Sequence, residues 1–276
     1  MLAKPLMAAE RQKEILERIR KNGRVLATDL AQEFQTSEDT IRRALRDLAA
    51  QGLFTRVYGG ALAMSPASGS AQQRRKEAGD RKLALGKKLV SIVRPGQLLF
   101  IDAGSTNLAA ARSLPEGLGA TVATHDPVIA SVLTGRTDLT LITIGGQVNP
   151  LVGAAIDGRA LRVILDMRPD LLFLGLCAMD SENGIAAFHS EDAQIKRALI
   201  EQSGSVAIAV LNEKLSTSAP FHISSVEAVA DLVIEADAHR SQISRFQSRG
   251  MRVHRASAPG AELRDKPHIV PRAAAK

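Results

Sequence analysis

The amino-acid sequence predicts an α/β fold class, with a small helical domain followed by a larger domain built on a mostly parallel sheet. Helical periodicity of apolar residues dominates positions 9–50. A glycine-containing turn then separates two short extended runs within positions 53–64. From position 97 onward, buried-strand patterns alternate with helical ones. That alternation is typical of βαβ units, in which helices cover both faces of a parallel sheet.

The length and charge of the chain indicate two domains with different partners. The chain has 276 residues, of which 45% are apolar, which is enough for two cores. Residues 1–88 carry a net charge of +8, whereas residues 89–250 carry −5. A basic segment joined to an acidic one suggests that only the first meets a polyanion. The expected organisation is an N-terminal domain at 1–64, a basic linker at 65–82, a second domain at 83–258 and a flexible tail at 259–276.

Several classes of site are not expected from the sequence. The six histidines are scattered and Cys177 is the single cysteine, so neither a metal site nor a disulfide is expected. No nucleotide-binding glycine loop or serine-nucleophile motif occurs, so no cofactor is expected. Apolar runs such as 171–179 reach about half of the ~20 residues that a membrane span needs. Lys4 and Pro5 interrupt the one apolar patch near the start. We therefore expect a cytoplasmic protein without membrane contact.

The N-terminal sequence predicts two helices, followed by a third that begins near Thr36. The first helix is predicted over 9–22, where apolar side chains recur on one side. After a short extended piece, Thr28 is predicted to cap a second helix over 29–35. Thr36, with Asp39 three residues later, resembles a capping box that opens the third.

The third helix separates apolar from cationic side chains. Its apolar residues fall on one narrow stripe: Ile41, Leu45 and Leu48. Its cationic residues project from the other side: Arg42, Arg43 and Arg46. Alone, such a helix could simply be a solvated face. A hairpin follows it, however, with a turn at 58–60 where glycines supply positive φ angles. The whole series predicts a winged helix-turn-helix, whose third helix enters the major groove of DNA.

The predicted DNA contact involves the start of the third helix and the hairpin. Backbone N–H groups in the first turn of a helix favour phosphate. Arginines can pair with phosphates or with guanine O6 and N7. Arg56, on the hairpin, is expected to reach the neighbouring DNA backbone. The candidate DNA-binding residues are Thr36, Ser37, Glu38, Thr40, Arg42, Arg43, Arg46 and Arg56.

The ends of three predicted strands indicate a pocket in the second domain. The strand at 97–102 runs into the sequence AGSTN, whose amides and hydroxyls suit an anion. The strand at 120–124 ends on His125 and Asp126, and the strand at 139–146 ends on paired glycines. Ligands of open α/β sheets bind at the carboxyl ends of strands. A small-residue turn that holds no ligand remains the alternative for each loop taken separately.

Two sets of motifs resemble the DeoR-type family of bacterial transcriptional regulators. SEDTIRR and RVYGGA carry most of the resemblance to the family's DNA-binding domain. IDAGSTN, VATHD, IGG, GIAAFHSEDAQIKRALI and LNEKLS follow the order of its C-terminal sensor domain. That domain is similar in fold to ribose-phosphate isomerases, and the match covers residues 9–256. Ala44 stands where the family usually has aspartate, which is expected to remove a charge from the helix surface. His125 stands where asparagine is usual, which is expected to make ligand binding sensitive to pH.

The resemblance implies a function. It implies a sequence-specific regulator, and not an enzyme, that represses a sugar or carbohydrate catabolic operon. The implied partners are an operator duplex, a phosphorylated sugar or related effector, and further copies of the chain in a homodimer or homotetramer. By resemblance, four residues would hold the phosphate: Asp102, Gly104, Ser105 and Thr106. The remaining effector-binding residues would be His125, Gly145, Gly146, Glu191, Lys196 and Lys214.

Two alternative functions remain open at the level of sequence. The first is a sugar-phosphate isomerase-like enzyme with an accessory nucleic-acid-binding domain. Its acid–base groups would come from Asp102, Asp126, Glu191 and Lys214. The second is a nonspecific nucleic-acid-binding protein, which explains the basic linker but not the anion-binding loop.

Overall fold

The N-terminal part of the protein has the predicted order of helices and hairpin. The computed structural model describes residues 7–259, without the side chains of Arg20, Lys21 and Ser68. The first elements are α1 (Ala8–Asn22), β1 (Arg24–Leu26), α2 (Ala27–Glu33), α3 (Glu38–Ala49), β2 (Phe54–Val57) and β3 (Gly60–Met64). Strands β1 and β2 each pair antiparallel with β3, so the three form a small sheet beside the helices.

One apolar core holds these elements together. The predicted stripe of α3 is buried against α1, α2 and β2, together with Ile15, Leu30 and Phe54. Ala44 also faces this core and is only 8% exposed. The expectation that this position lies on the outer helix surface is therefore wrong. A small side chain fits there because the position packs against neighbouring helices.

Both predicted helix caps are wrong by one or two residues. Helix α2 begins at Ala27, so Thr28 lies inside it. Ser37 caps α3 in place of Thr36, because its Oγ accepts a hydrogen bond from the Thr40 amide at 3.2 Å. Asp39 forms an ion pair with Arg43 and closes no capping box. Neighbouring serine and threonine residues have similar capping preference, so local sequence does not choose between them.

The segment predicted as a linker contains regular structure. A short 3-10 turn (Pro66–Ser68) leads into α4 (Ala71–Lys76), and α5 (Gly79–Val90) begins before residue 82. Arg75 pairs with Asp126 at 2.8 Å, and Arg81 pairs with Glu235 at 2.5 Å. These contacts with the second domain explain why a segment without apolar periodicity is helical. The tail expected at 259–276 lies, apart from Pro259, outside the described residues.

The second domain has a parallel sheet covered by helices. Its sheet strands are β4 (Leu98–Ile101), β5 (Thr121–Thr124), β6 (Thr140–Thr143), β9 (Leu171–Phe173), β12 (Val206–Ala209), β15 (Asp231–Ile234) and β16 (Arg252–Arg255). Its helices after α5 are α6 (Ser105–Arg112), α7 (Pro127–Leu133), α8 (Gly158–Leu165), α9 (Ser190–Gln202) and α10 (Arg240–Gln247). Within residues 7–259, the order across this sheet is β16-β15-β12-β9-β4-β5-β6, and every neighbouring pair is parallel. The predicted fold class is confirmed.

Six short strands of the described chain follow the carboxyl ends of the sheet strands, and the sequence did not predict them. They are β7 (Val148–Asn149), β8 (Ala154–Ala155), β10 (Ala178–Asp180), β11 (Gly184–Ala187), β13 (Thr217–Ser218) and β14 (Phe221–Ser224). Strands β7 and β8 form a hairpin, and β10, β11 and β14 form a second small sheet. Strand β13 pairs with β3 of the N-terminal domain.

Alternation along the central strands divides the core into two layers. In β4, Leu99 and Ile101 belong to one apolar layer, while Phe100 belongs to the other. Side chains of a strand point alternately to opposite faces, so a run such as LLFI must be apolar throughout when helices cover both faces. Among the described residues, no helix combines the length and apolar character needed to cross a membrane.

The order of the strands places a crevice at the carboxyl ends of β4 and β9. The chain passes from β4 outward to β5 and β6, then returns to β9 on the other side of β4. Such a reversal leaves a crevice where connections leave in opposite directions. The predicted strand at 171–177 ends at Phe173, and residues 174–177 form a loop at this crevice.

We predict that replacing Gly86 by alanine destabilises the second domain. Alanine favours a helix interior by about 1 kcal/mol over glycine. A Cβ at Gly86 in α5, however, would lie 2.6 Å from the amide nitrogen of Ala110 in α6. The two helices must therefore separate, and the melting temperature measured by circular dichroism should fall. Gly79→Ala in the same helix meets no atom within 4 Å and should leave it unchanged or slightly raised. Equal melting temperatures for both variants would contradict this prediction.

Candidate functional site

The outer face of α3 is cationic and open to solvent. The side chains of Arg42 and Arg43 are 57% and 72% exposed, and Arg46 is also exposed. The opposite stripe of the helix is buried. The predicted division between apolar and cationic sides is therefore confirmed. The second domain does not cover this face.

Two of these arginines are held by carboxylates one helical turn earlier. Arg42 Nη2 lies 2.5 Å from Glu38 Oε2, and Arg43 Nη2 lies 3.3 Å from Asp39 Oδ2. Exposed pairs of this kind contribute little to stability. A phosphate can therefore displace the carboxylates at little cost. The hydroxyls of Ser37 and Thr40 bond to each other at 2.8 Å at the start of the helix, with Thr36 directly before them.

The β2–β3 hairpin forms the wing of the N-terminal domain. Arg56 is exposed on β2, as the predicted DNA contact requires. Tyr58 lies at the tip of the hairpin and is fully exposed. It was not among the candidate residues, although its place beside a glycine turn could have suggested it. We call the outer side of α3 and the wing together the α3–wing face, which consists of Thr36, Ser37, Glu38, Thr40, Arg42, Arg43, Arg46 and residues 56–58.

A cleft occupies the crevice between β4 and β9. Its walls come from the loops that follow these strands, from α9, and from the segments around α4 and before β13. The polar residues that line it are Arg74, Ser105, Thr106, Asn107, Cys177, His189, Asp192, Lys196 and Lys214. The cleft is therefore built from several parts of the chain that are distant in sequence.

Asp102 lies behind the cleft and organises it. Its carboxylate is fully buried. It accepts hydrogen bonds from the Gly175 amide at 2.7 Å and from Lys196 Nζ at 2.6 Å, and it lies 2.8 Å from His125 Nε2. Burial by itself would raise the pKa of Asp102, but the Lys196 ammonium and the His125 hydrogen bond outweigh it and lower that pKa below its usual range. Asp102 is therefore enclosed by protein groups, and its direct contact with a phosphate stays a prediction.

Lys196 and Asp192 form the inner wall on α9. Lys196 Nζ lies 3.2 Å from Asp192 Oδ1, yet this oxygen has no partner in hydrogen-bond geometry among the described residues. Burial would lower the pKa of Lys196, but the charges of Asp102 and Asp192 raise it overall. Burial raises the pKa of Asp192, and the charge of Asp102 adds to this effect. Asp192 is thus a buried acceptor at the edge of the cleft that is ion-paired with Lys196 but not well hydrogen-bonded.

Arg74 and Lys214 supply cations that no carboxylate neutralises within the described residues. Lys214 Nζ donates to the carbonyl oxygen of Leu176 at 2.7 Å. Arg74 donates to the carbonyl oxygens of Gly69 and Leu151. Burial lowers the pKa of Lys214 to about 8, and the nearby cations Arg74 and Lys82 add to this effect. An anion in the cleft would be a better partner for either side chain.

The amino end of α6 faces the same cleft. Gly104, Ser105 and Thr106 form its first turn, where backbone amides lack intrahelical acceptors. Asn107 stabilises this end, since its Nδ2 donates to the carbonyl oxygens of Asp102 and Phe173 at 2.9 Å each. Amides, two hydroxyls and two unneutralised cations therefore converge on one space. That combination suits a phosphate group.

The structure brings together only half of the predicted effector-binding residues. Five of them line the cleft: Gly104, Ser105, Thr106, Lys196 and Lys214. Asp102 and His125 are buried behind it. Gly145, Gly146 and Glu191 do not line it, because β4 and β5 lie between β6 and β9 and because Glu191 is exposed to solvent. Their contact with an effector therefore stays a prediction.

Sequence reasoning missed Arg74 and Asp192. Asp192 precedes Lys196 by four residues, so both lie on one face of α9, and this spacing could have identified it. Arg74 lies in the segment predicted as a linker, where the sequence carries no such signal. Among the described residues, no group of histidine, cysteine or carboxylate side chains could hold a metal ion.

Comparisons with known proteins agree with both parts of this description. A family model described as "DeoR-like helix-turn-helix domain" matches residues 11–67, and "DeoR C terminal sensor domain" matches residues 77–236. The "Glycerol-3-phosphate regulon repressor" of Escherichia coli (strain K12) is 29% identical over 82% of this chain and 90% of its own length. The "HTH-type transcriptional regulator GlpR" of Haloferax volcanii is 26% identical over 90% of this chain and 98% of its own.

A solved structure with partial likeness is the ribose 5-phosphate isomerase A of Methanocaldococcus jannaschii. It is 14% identical, with a TM-score of 0.36, over 49% of this chain and 54% of that chain. A score this low carries no weight in assigning a function.

We predict that Lys196→Met strongly destabilises the second domain. Removing one partner of a buried ion pair leaves the other charge uncompensated, at a cost of about 3–5 kcal/mol. Arg249→Met is the matched control, because it breaks an exposed pair with Glu227 and should leave the unfolding transition in place. Urea denaturation followed by circular dichroism measures both. Equal unfolding midpoints for the two variants would contradict a structural role for the Asp102–Lys196 pair.

Proposed function

Because the chain belongs to the DeoR family of DNA-binding transcriptional regulators, we propose that it represses an operon for sugar or polyol use and that a phosphorylated metabolite controls it. The observation that carries the DNA-binding part is the α3–wing face. Its arginines are exposed over a buried apolar stripe, as groove insertion requires.

The proposed operator contact uses both parts of this face. Arg42, Arg43 and Arg46 would meet base edges or phosphates in the major groove. Arg56 and Tyr58 on the wing would lie against the adjacent DNA backbone. Groove-reading domains of this size bind paired half-sites as dimers, so we also propose that the protein acts as a homodimer or homotetramer.

The effector proposal rests on the convergence of amides and cations in the cleft. A phosphate would bind between the first turn of α6, Arg74 and Lys214, where its charge replaces neutral acceptors. Asp192 Oδ1 is ion-paired with Lys196 but has no hydrogen bond of good geometry, so it would accept a hydroxyl of the same ligand. A small polyol or sugar phosphate has both groups. The name of the E. coli relative, a glycerol-3-phosphate regulon repressor, makes glycerol 3-phosphate the first compound to test.

The isomerase alternative is not retained. The family assignment groups the chain with transcription regulators and not with enzymes. Two of the carboxylates required for acid–base chemistry are also engaged elsewhere. Asp102 is buried among its hydrogen-bond partners, and Asp126 caps α7 while pairing with Arg75.

We predict that Arg42→Ala and Arg43→Ala each weaken binding to an operator selected by the wild-type protein from a random duplex pool. Loss of a base contact costs about 1–3 kcal/mol, and loss of a phosphate contact reduces the salt dependence of binding by about one ion. Arg159→Ala, an exposed arginine on α8, should bind normally. Fluorescence anisotropy across a salt series measures all three. Unchanged affinity in both α3 variants, or equal affinity of the wild type for operator and random DNA, would contradict the proposal.

We predict that affinity for glycerol 3-phosphate falls as the pH rises through about 8. The pKa of Lys214 is about 8 in the ligand-free protein, so its ammonium loses a proton there. The phosphate itself has its second pKa near 6 and stays a dianion above pH 7. Arginine remains charged throughout, so Lys214→Arg should give a flat profile. Calorimetric titrations between pH 7 and about 9.5 test this, and a flat wild-type profile would remove Lys214 from the phosphate site.

A further inference from the structure

A strand of the second domain extends the sheet of the wing. Strand β13 pairs parallel with β3, with Thr217 opposite Ala63 and Ser218 opposite Met64. The amide of Ser65, directly after β3, donates to the carbonyl oxygen of Ser218 at 3.0 Å. The base of the wing is therefore bonded through its backbone to the domain that contains the cleft.

This strand follows almost directly on the cleft residue Lys214. Only Leu215 and Ser216 intervene, and Ser216 adopts a left-handed conformation (φ 56°), which residues other than glycine rarely adopt. The hydroxyl of Thr217 donates to the carbonyl oxygen of Lys214 at 2.7 Å, which fixes the turn. Because this connection is short and fixed, a displacement of Lys214 also displaces β13.

One loop of the cleft contacts both the lysine and the wing. The carbonyl oxygen of Leu176 accepts a hydrogen bond from Lys214 Nζ at 2.7 Å. The next carbonyl oxygen, that of Cys177, accepts one from the hydroxyl of Ser65 at 2.6 Å. We call this closed set of contacts the wing latch, and it consists of Ser65, Leu176, Cys177, Lys214, Thr217 and Ser218.

The second connection between wing and cleft also ends in a cation. The chain continues from Ser65 into α4, where the guanidinium of Arg74 lines the cleft. Arg74 Nη2 lies 3.3 Å from the carbonyl oxygen of Leu151, and the amide of Ala71 donates to the same oxygen at 2.9 Å. Both routes from the wing, through β13 and through α4, thus reach the same cleft at a positively charged side chain.

We propose that an anion bound in the cleft changes the hydrogen bonding of the wing latch through Lys214. Occupancy of the cleft then sets the stability of the β3–β13 pairing at the base of the wing. This inference rests on the proposed function. In the ligand-free protein the ammonium of Lys214 bonds to a neutral carbonyl oxygen. An ammonium attracts an anion more strongly than it attracts a neutral carbonyl oxygen, so a bound anion redistributes the bonds of Lys214. An effector shifts an equilibrium only by interacting differently with its two states, and Lys214 provides that difference.

Hydrogen–deuterium exchange of the full-length protein tests this, with inorganic phosphate as the probe at ten times its measured Kd. We expect the amides of residues 60–65 and 215–219 to exchange at least about threefold faster or slower when phosphate is bound. In Lys214→Met this difference should disappear. Arg168→Met, which removes a cation from the opposite edge of the sheet, should behave as the wild type does.

A second variant tests the same coupling from the side of the wing. Thr217→Val keeps the shape and branching of the side chain but removes the bond to the Lys214 carbonyl. Thr217 does not line the cleft. Since coupling between two sites is reciprocal, its phosphate Kd should nevertheless change by at least about threefold.

The outcomes separate this inference from the proposed function. Phosphate that binds without altering exchange in either segment, or that binds Thr217→Val with wild-type affinity, overturns the inference and leaves the proposed cleft intact. A complete lack of phosphate binding to the wild type overturns the proposed phosphate site, and the inference with it. An exchange difference that persists in Lys214→Met overturns the assignment of Lys214 as the coupling residue.

Discussion

The second domain depends on one buried charge, the carboxylate of Asp102. Removing a carboxylate from water is costly unless it is fully paired and hydrogen-bonded. Asp102 meets this condition by joining the end of β4 to the loop after β9, to α9 and to His125 after β5. These four parts of the chain can reach their places only together. The switch point of the sheet is therefore held by an electrostatic constraint as well as by apolar packing.

The cations of the cleft differ in whether a carboxylate neutralises them. Lys196 is committed to Asp102 and Asp192 and belongs to the rigid framework. Arg74 and Lys214 are held only by carbonyl oxygens within the described residues. These two lie on segments that connect to the wing and not on the central sheet. The charges best suited to respond to a ligand are therefore the ones nearest to the N-terminal domain.

The N-terminal domain exposes its arginines on one surface and attaches to the second domain through another. Its three helices and hairpin enclose one apolar core, which leaves the arginines of α3 exposed on one side. Its other side is joined to the second domain by the β3–β13 pairing and by Arg24, which lies 2.5 Å from Glu182. Attachment through a sheet edge leaves the DNA-facing side free, and it makes the geometry of the wing depend on residues beside the cleft.

The sequence by itself determined those features that arise from neighbouring residues. Periodicity predicted α1, α3 and the central strands, because burial of one face imposes a repeat of 3.6 or 2 residues. It also predicted that the arginines of α3 would face away from its apolar stripe. The sequence AGSTN predicted an anion-binding helix start, since small and hydroxylic residues after a strand expose backbone amides.

Only the tertiary structure decided which strand ends form the cleft. The sequence could not indicate that β9 lies beside β4, so it did not predict that the loop at 174–177 lines the cleft. It could not indicate that Asp102 would be enclosed by Lys196, which is 94 positions away. It placed Arg74 in a linker, because the contacts that fold α4 come from the second domain. The physical reason is common to all three: strand order and charge burial depend on pairings between distant residues, which no local pattern records.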